Sequence, residues 1–344
     1  KTEQYMRFLT FMLLCFGLSL NAQTLNFDTL QDLKIRNVGP ANMSGRITSI
    51  DVVTANPKII YVGAASGGVW KSENGGSAWT PIFDDQPTQN IGAVAIQQSK
   101  PEVIWVGTGE GNPRNSMNLG AGIFKSIDGG TSWKFMGLKA TKTIHRIIID
   151  PNDHNTVYVG AMGDPFTENE HRGLYKTIDG GESWTKILFS NTSSGIADLV
   201  IDKSNPKKIF AALYEHHRTP YSFVSGGKGS GLYISEDSGE SWNIIGPEQG
   251  FPEGELGRIG IAIAPSNSNR IYAKVEAKKN VLYRSDDGGS TWMVINENSK
   301  FTNNRPFYFQ DLAVDTADED RLYNIYQPLS VSYNGGKTFD TTPM

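Results

Sequence analysis

Five carboxylates fall in three polar stretches of the chain: Glu110, then Asp164, Glu168 and Glu170, then Glu215. Two carboxyl groups flanking a glycosidic bond can cleave it, one as acid and the other as base or nucleophile. Glu110, Asp164, Glu170 and Glu215 are therefore the candidate catalytic groups, and spacing pairs no two of them. The same stretches hold Asn112, Arg114 and Asn115, then His171 and Arg172, then His216, His217, Arg218, Tyr221, Phe223 and Lys228. Arg46, His145, Arg146, Arg258, Arg305, Phe307 and Tyr308 stand just ahead of apolar runs. Guanidinium groups grip carboxylates bidentately, and aromatic rings cover sugar rings or apolar side chains. The candidate ligand contacts are thus Arg46, Arg114, His171, Arg172, His216, His217, Arg218, Tyr221, Arg258, Arg305 and Tyr308. Arg46, Arg258 and Arg305 form one possible carboxylate-binding triad.

Other chemistries are excluded by pattern. Adjacent residues point to opposite sides of a strand, so His216 and His217 cannot share a metal, and no third ligand has suitable spacing. Gly107-Thr-Gly-Glu-Gly111 and Gly226-Gly-Lys-Gly-Ser-Gly231 do not open a helix after a strand and are weak as phosphate loops. There is no Gly-x-Ser-x-Gly elbow. Neither a metal nor a cofactor is expected.

What must position these residues is a repeat. Ser72-Glu-Asn-Gly-Gly-Ser-Ala-Trp79 returns as Ser126-Ile-Asp-Gly-Gly-Thr-Ser-Trp133, Thr177-Ile-Asp-Gly-Gly-Glu-Ser-Trp184 and Ser235-Glu-Asp-Ser-Gly-Glu-Ser-Trp242. It returns again as Ser285-Asp-Asp-Gly-Gly-Ser-Thr-Trp292 and Ser332-Tyr-Asn-Gly-Gly-Lys-Thr-Phe339. Successive starts lie 54, 51, 58, 50 and 47 residues apart, the period of a propeller blade. The structural positions are Asn74 and Trp79, Asp128 and Trp133, Asp179 and Trp184, Asp237 and Trp242, Asp287 and Trp292, and Asn334 and Phe339. Asp-Gly-Gly between strands supplies a tight turn whose carboxylate accepts backbone N–H groups of the turn.

Ahead of each turn come two β-rich runs, for example Ile47–Val53 and Ile59–Ala65, Ile147–Asp150 and Thr156–Gly160, and Ile259–Ala264 and Arg270–Val275. A third short strand leads into the turn (Gly68–Lys71, Gly122–Lys125, Gly173–Lys176, Gly231–Ile234, Val281–Arg284), and a fourth follows it. Such alternation predicts an all-β propeller of six four-stranded blades, approximately 41–85, 90–137, 144–189, 195–247, 257–297 and 308–342. No helix is expected. In this order the turns occupy one face, and the second-to-third loops share the other with the blade connections. Those loops are short in blades one (Ala64–Gly68), five (Glu276–Asn280) and six (Gln327–Ser330), and long in blades two to four. Polar loops on a rigid scaffold are where binding resides.

S-x-D-x-G-x-[ST]-W resembles the Asp-box, or BNR repeat, of sialidases, sortilin-type propellers and xyloglucan-cleaving two-propeller hydrolases. Asn37-Val-Gly-Pro-Ala-Asn-Met-Ser-Gly-Arg46, Gly63-Ala-Ala-Ser-Gly-Gly-Val-Trp-Lys-Ser72 and Trp105-Val-Gly-Thr-Gly-Glu-Gly-Asn-Pro-Arg114 look like a bacterial secreted group with a sortilin N-terminal domain. Members of that group are longer, which implies that this chain, stopping five residues after its sixth box and beginning without Met, is part of a longer multi-blade protein. Further C-terminal blades are then a partner. In the xyloglucan-cleaving relatives, the resemblance implies, the base lies in an Asp-x-Gly-Gly stretch leaving the second strand of blade one. Ala65 stands at that Asp here, which removes the base and speaks against that activity. The sialidase motif F-R-I-P is absent.

Arg7, the apolar run Phe8–Leu20 and the exit Asn21-Ala22-Gln23 read as a signal peptide over 1–22, with the propeller over 23–344. Cleavage after Ala22 would remove Cys15, the single Cys, leave no membrane span and deliver the protein to the cell-envelope exterior or medium. A single Cys excludes a disulfide scaffold, and a net charge of -4 argues against nucleic acid. The 37 Gly among 344 residues follow no collagen period and must serve turns. The sequence thus predicts recognition of an extracellular glycan or peptide on the loop face, with glycoside hydrolysis as the alternative.

Overall fold

The computed structural model describes residues 2, 3, 5, 45–114, 117–302, 305–325 and 329–341. The signal-peptide reading and the stretch 37–44 lie outside the described residues, as do Asn115 and Gln327. Over the repeats the chain forms six antiparallel meanders. Blade one is β1 (Ile47–Val52), β2 (Ile60–Ala64), β3 (Gly68–Ser72) and β4 (Thr80–Pro81). Blade two is β5 (Ile91–Ile96), β6 (Ile104–Thr108), β7 (Ile123–Ser126) and β8 (Lys134–Phe135). Blade three is β9 (Ile144–Ile149), β10 (Val157–Ala161), β11 (Gly173–Thr177) and β12 (Thr185–Leu188). Blade four is β13 (Ser194–Ile201), β14 (Ile209–Arg218), β16 (Gly231–Ser235) and β17 (Asn243–Ile245), with β15 (Phe223–Ser225) added to the end of β14. Blade five is β18 (Ile259–Ala264), β19 (Asn267–Val275), β20 (Val281–Ser285) and β21 (Met293–Asn296). Blade six is β22 (Leu312–Val314), β23 (Leu322–Asn324), β24 (Ser330–Ser332) and β25 (Asp340–Thr341).

Three details depart from the strand reading. β9 begins at Ile144, three residues earlier than the apolar run suggested, because Arg146 and Ile144 already pair with Gly160 and Ala161 of β10, with His145 at a bulge between them. The long blade-four loop is in part a hairpin, since His216, His217 and Arg218 pair with Ser225, Val224 and Phe223. A four-residue helix, Ser299–Thr302, also forms where no helix was expected.

The repeated turn is built alike in all six copies. In the second, Ser126 Oγ donates to Asp128 Oδ1 at 2.8 Å, and the Gly130 and Ser132 N–H groups donate to Ser126 Oγ and Asp128 Oδ1. Asn74 and Asn334 accept the same backbone bond through Oδ1, which explains why Asn substitutes there. The second glycine has two duties. Its φ is positive (93° at Gly130), and a Cβ would strike the preceding blade: Ile82 from Gly130, Trp105 from Gly181, Phe210 from Gly289 and Leu282 from Gly336. The box is thus a seat for the blade before it as well as a turn.

The core lies between blades. Apolar clusters join the first blade to the second, and so on through the fifth to the sixth. The box Trp residues feed these clusters. Trp133 reaches back to donate to Ile82 O at 2.7 Å and meets Phe83 edge-on at 5.0 Å, while Trp184 donates to Met136 O and meets Trp105. Trp79 of the first box is 38% exposed, and beside its glycine Gly76 a Cβ would meet only Trp79 itself.

Candidate functional site

Each first strand runs away from the loop face, so residues at its start ring the channel's mouth there. Arg146 in β9 donates from Nε to Asp198 in β13 at 2.7 Å, and its Nη2 reaches Asp311 ahead of β22. Arg258, 1% exposed, donates from Nη1 to Phe307 O at 2.6 Å, and its Nη2 lies 2.8 Å from His145 Nε2. Burial pushes His145 well below the usual histidine range, with Arg146 and Arg258 adding to the effect, so the ring is neutral. Lys274 Nζ donates to Asn324 Oδ1 at 2.8 Å, and burial pulls this amine down to about 7. Burial would raise the Asp311 carboxyl, but Arg146, Arg258 and Lys274 hold it below the ordinary range.

Sequence reasoning missed Asp198, Asp311 and Lys274. The signal was present for Asp198: an acid in the middle of the apolar run SGIADLVI has to find a partner inside.

The structure divides the sequence candidates. Glu110 is fully buried and takes two bonds from Arg46, from Nε at 2.8 Å and from Nη2, so it is a paired anion and not a free catalytic acid. That pairing, and the burial of Arg258, also mean that Arg46, Arg258 and Arg305 do not form the expected triad. Arg172 is fully buried as well: its nitrogens clasp the carbonyls of Ser193, Asp164 and Thr167, and burial lowers it to about 10. His216 is 1% exposed and stacks on Tyr214 with ring centres 4.9 Å apart, so it too is an interior group. Its neighbour His217 is half-buried, as strand alternation requires.

Glu215 accepts Gly229 N at 2.7 Å and Asn191 Nδ2 at 3.0 Å. It shapes the loop after β15, where a Cβ on Gly227 or Gly229 would collide with its carboxylate. Asp164 accepts the Phe166 N–H within its own turn, and Glu168 accepts Thr192 Oγ1. Glu170 and His171 are exposed. Ala65 is fully buried at the end of β2, its N–H donated to Arg46 O at 2.8 Å.

Beside the exposed acids Glu168 and Glu170, aromatic and cationic groups remain accessible on this face. Tyr221 at the tip of the β14–β15 hairpin is 91% exposed. Phe166 is partly exposed on the loop whose Pro165 O accepts Arg218 N. Behind them Arg218 lies 4.9 Å over Phe223, which packs on Phe307. Arg114 lies 5.3 Å over Tyr308, and Arg305 is exposed with φ of 49°.

The opposite end of the channel holds a cavity of about 640 Å³ between the ends of the first strands, walled by residues such as Ile147, Ile149, Ile261, Ile263, Leu312 and Val314. Polar groups, among them Asp51, Gln98, Asp150, His154 and Lys203, share its lining with the aliphatic residues. Among the described residues no group of three His, Cys, Asp or Glu could hold a metal, and no helix is long and apolar enough to cross a membrane.

Six four-stranded blades, each turning through the same Ser/Thr–Asp/Asn–Gly–Gly seat, define an Asp-box β-propeller. The model of the family "Sortilin, neurotensin receptor 3" matches residues 121–249. A xyloglucanase of Paenibacillus sp is 23% identical over 343 residues, covering 88% of this chain and 32% of its own length. Xyloglucanase Xgh74A of Acetivibrio thermocellus is likewise 23% identical, covering 89% of this chain and 38% of its own. An oligoxyloglucan-reducing end-specific xyloglucanase of Emericella nidulans is 26% identical over 236 residues, 59% of this chain and 27% of its own. Among solved structures, an ancestral GH74 enzyme superposes with a TM-score of 0.60 at 20% identity, covering 87% of this chain and 36% of that one. YCF48 bound to D1 peptide superposes at 0.54 with 15% identity, covering 87% and 82%. The chain is thus an Asp-box β-propeller, similar to the sortilin family over residues 121–249 and, at low identity, to xyloglucanases. It spans about a third of the length of the curated relatives it matches.

Proposed function

We propose that this propeller is exported and recognises an extracellular glycan on its loop face, within a longer protein. The observation that carries the reading is the β14–β15 hairpin, which holds Tyr221 almost wholly in solvent and is joined through Arg218 N–H to the Pro165 carbonyl of the loop bearing the partly exposed Phe166. An exposed ring at the tip of a strand pair is a platform for the apolar face of a sugar. The names of the xyloglucanase relatives support a glycan over a peptide as the ligand. The test is affinity electrophoresis of the full chain in gels containing xyloglucan, with Tyr221→Ala beside it. Retention that falls in the variant supports the reading. Equal mobility with and without every glycan tried, or capture of a peptide in its place, overturns it. N-terminal sequencing of protein recovered from the culture medium tests export: a start after Ala22 is expected.

Hydrolysis of the same glycan is the second reading, favoured by the xyloglucanase matches. It needs two carboxyl groups across the bond. With Glu110 bound by Arg46 and Glu215 shaping its loop, the loop-face acids left to serve are Asp164, Glu168 and Glu170. Release of reducing ends by the chain, abolished by a Glu170→Gln or Asp164→Asn change, would favour this reading over binding alone.

A further inference from the structure

The centre of the loop face differs from its flank. Three loops from three blades meet there. Arg46 enters blade one, Arg114 lies in the β6–β7 loop of blade two, and Tyr308 precedes β22 of blade six. The Arg114 guanidinium sits 5.3 Å from the Tyr308 ring centre, a cation–π perch. The electrostatic influence of Tyr308 extends to Arg46. Other arginines near the channel are consumed inside: Arg46 and Arg146 by carboxylates, Arg172 by carbonyls, and Arg258 by the Phe307 carbonyl and His145. Arg114 is exposed and forms no ion pair among the described residues.

A guanidinium held by its flat face keeps its N–H edge for a planar, bidentate acceptor. Two further features sit in the same loops. Asn112, two residues before Arg114, is 7% exposed, and its Oδ1 has no partner among the described residues. Arg305, exposed and with φ of 49°, opens the turn that presents Tyr308, whose N–H donates to Arg305 O at 2.8 Å. Positive φ at a side-chain-bearing residue is uncommon and gathers at binding sites.

We infer that this central patch binds a carboxylate, so that the glycan taken by the loop face is one carrying uronate units. Arg114 supplies the bidentate contact, Arg305 a second cation, and Asn112 an acceptor for a sugar hydroxyl. This inference rests on the glycan reading above and narrows it from glycans in general to acidic ones.

The experiment is affinity electrophoresis of the full chain against polygalacturonate, its methyl ester and xyloglucan. Wild type is compared with Arg114→Gln and with Tyr308→Leu, which removes the perch and leaves both arginines. Circular dichroism confirms that each variant is folded. The expected result is at least tenfold tighter retention by the acid than by the ester, lost in both variants and weakened by salt. Equal retention of acid and ester, or a folded Arg114→Gln variant that keeps its preference, overturns the inference and leaves the glycan reading standing. Failure to be retained by any of the three polymers overturns both.

Discussion

Arg146 in β9 donates from Nε to Asp198 in β13 at 2.7 Å, and the other end of the same guanidinium reaches Asp311, so one side chain fastens blades three, four and six. Asp198 is also held by the N–H groups of Leu199 and of Ile261 in blade five. Removing the cation strands the buried Asp198 carboxylate beside the half-exposed Asp311. Arg146→Met should cost about 3 kcal/mol, the scale for stranding one side of a buried pair. Urea unfolding measures it, and adding Asp198→Asn and Asp311→Asn should restore part of the loss.

The box carboxylates make the fold acid-sensitive. Hydrogen bonds from Ser132 and Ser126 hold Asp128 down to about 2, Ser241 does the same for Asp237, and Asp179 is lowered by Ser183 and Thr177. A carboxyl lowered in the folded state adds stability that is full above its unfolded pKa of about 3.9 and disappears as pH falls toward the folded value. Asn74 and Asn334 already make the key bond without a charge. The triple change Asp128→Asn, Asp179→Asn and Asp237→Asn should therefore lower Tm modestly at pH 7 but flatten its fall between pH 5 and pH 2.5. An unchanged slope would mean that other acids govern the transition.

Lys274 acts in the opposite range. Burial lowers it to about 7, so between about pH 7 and its unfolded value near 10.4 the unfolded chain holds a proton that the folded chain lacks. Its contribution to stability must rise with pH across that window. Lys274→Met should raise the urea midpoint at pH 7 and reduce the difference between pH 7 and pH 9. A variant less stable than wild type at both pH values would show that the Asn324 hydrogen bond outweighs desolvation.

The box tryptophans should not be equivalent. Trp292 is 5% exposed and packs on Phe251, so Trp292→Ala should cost about 3–5 kcal/mol. Trp79 is 38% exposed, and Trp79→Ala should cost about 1 kcal/mol in the same denaturation assay.

On the loop face, Tyr221→Ala should leave Tm unchanged, because the ring is 91% exposed. It should weaken glycan retention about three- to tenfold, the scale of one ring contact of about 1 kcal/mol. Isothermal titration with a soluble oligosaccharide gives the ratio.

The sequence by itself determined the six blades, because a box of fixed residue types recurs and the chemistry of its turn is local. Asp128 bonds to Ser126 and Ser132, all within seven residues. Strand order and the separation of box face from loop face follow from that repetition. Tertiary structure alone decided the fate of the polar residues on the loop face. Glu110 and Arg46 are 64 positions apart, and Arg146 and Asp311 165 apart, yet each pair is one contact. No local pattern marks such a pairing, because it arises only when inner strands from different blades converge on one channel. For the same reason Arg172, His216 and Arg258, which read as surface contacts, turned out to be interior. Arg114 and Tyr221, drawn from the same loops by the same reasoning, were left to the solvent.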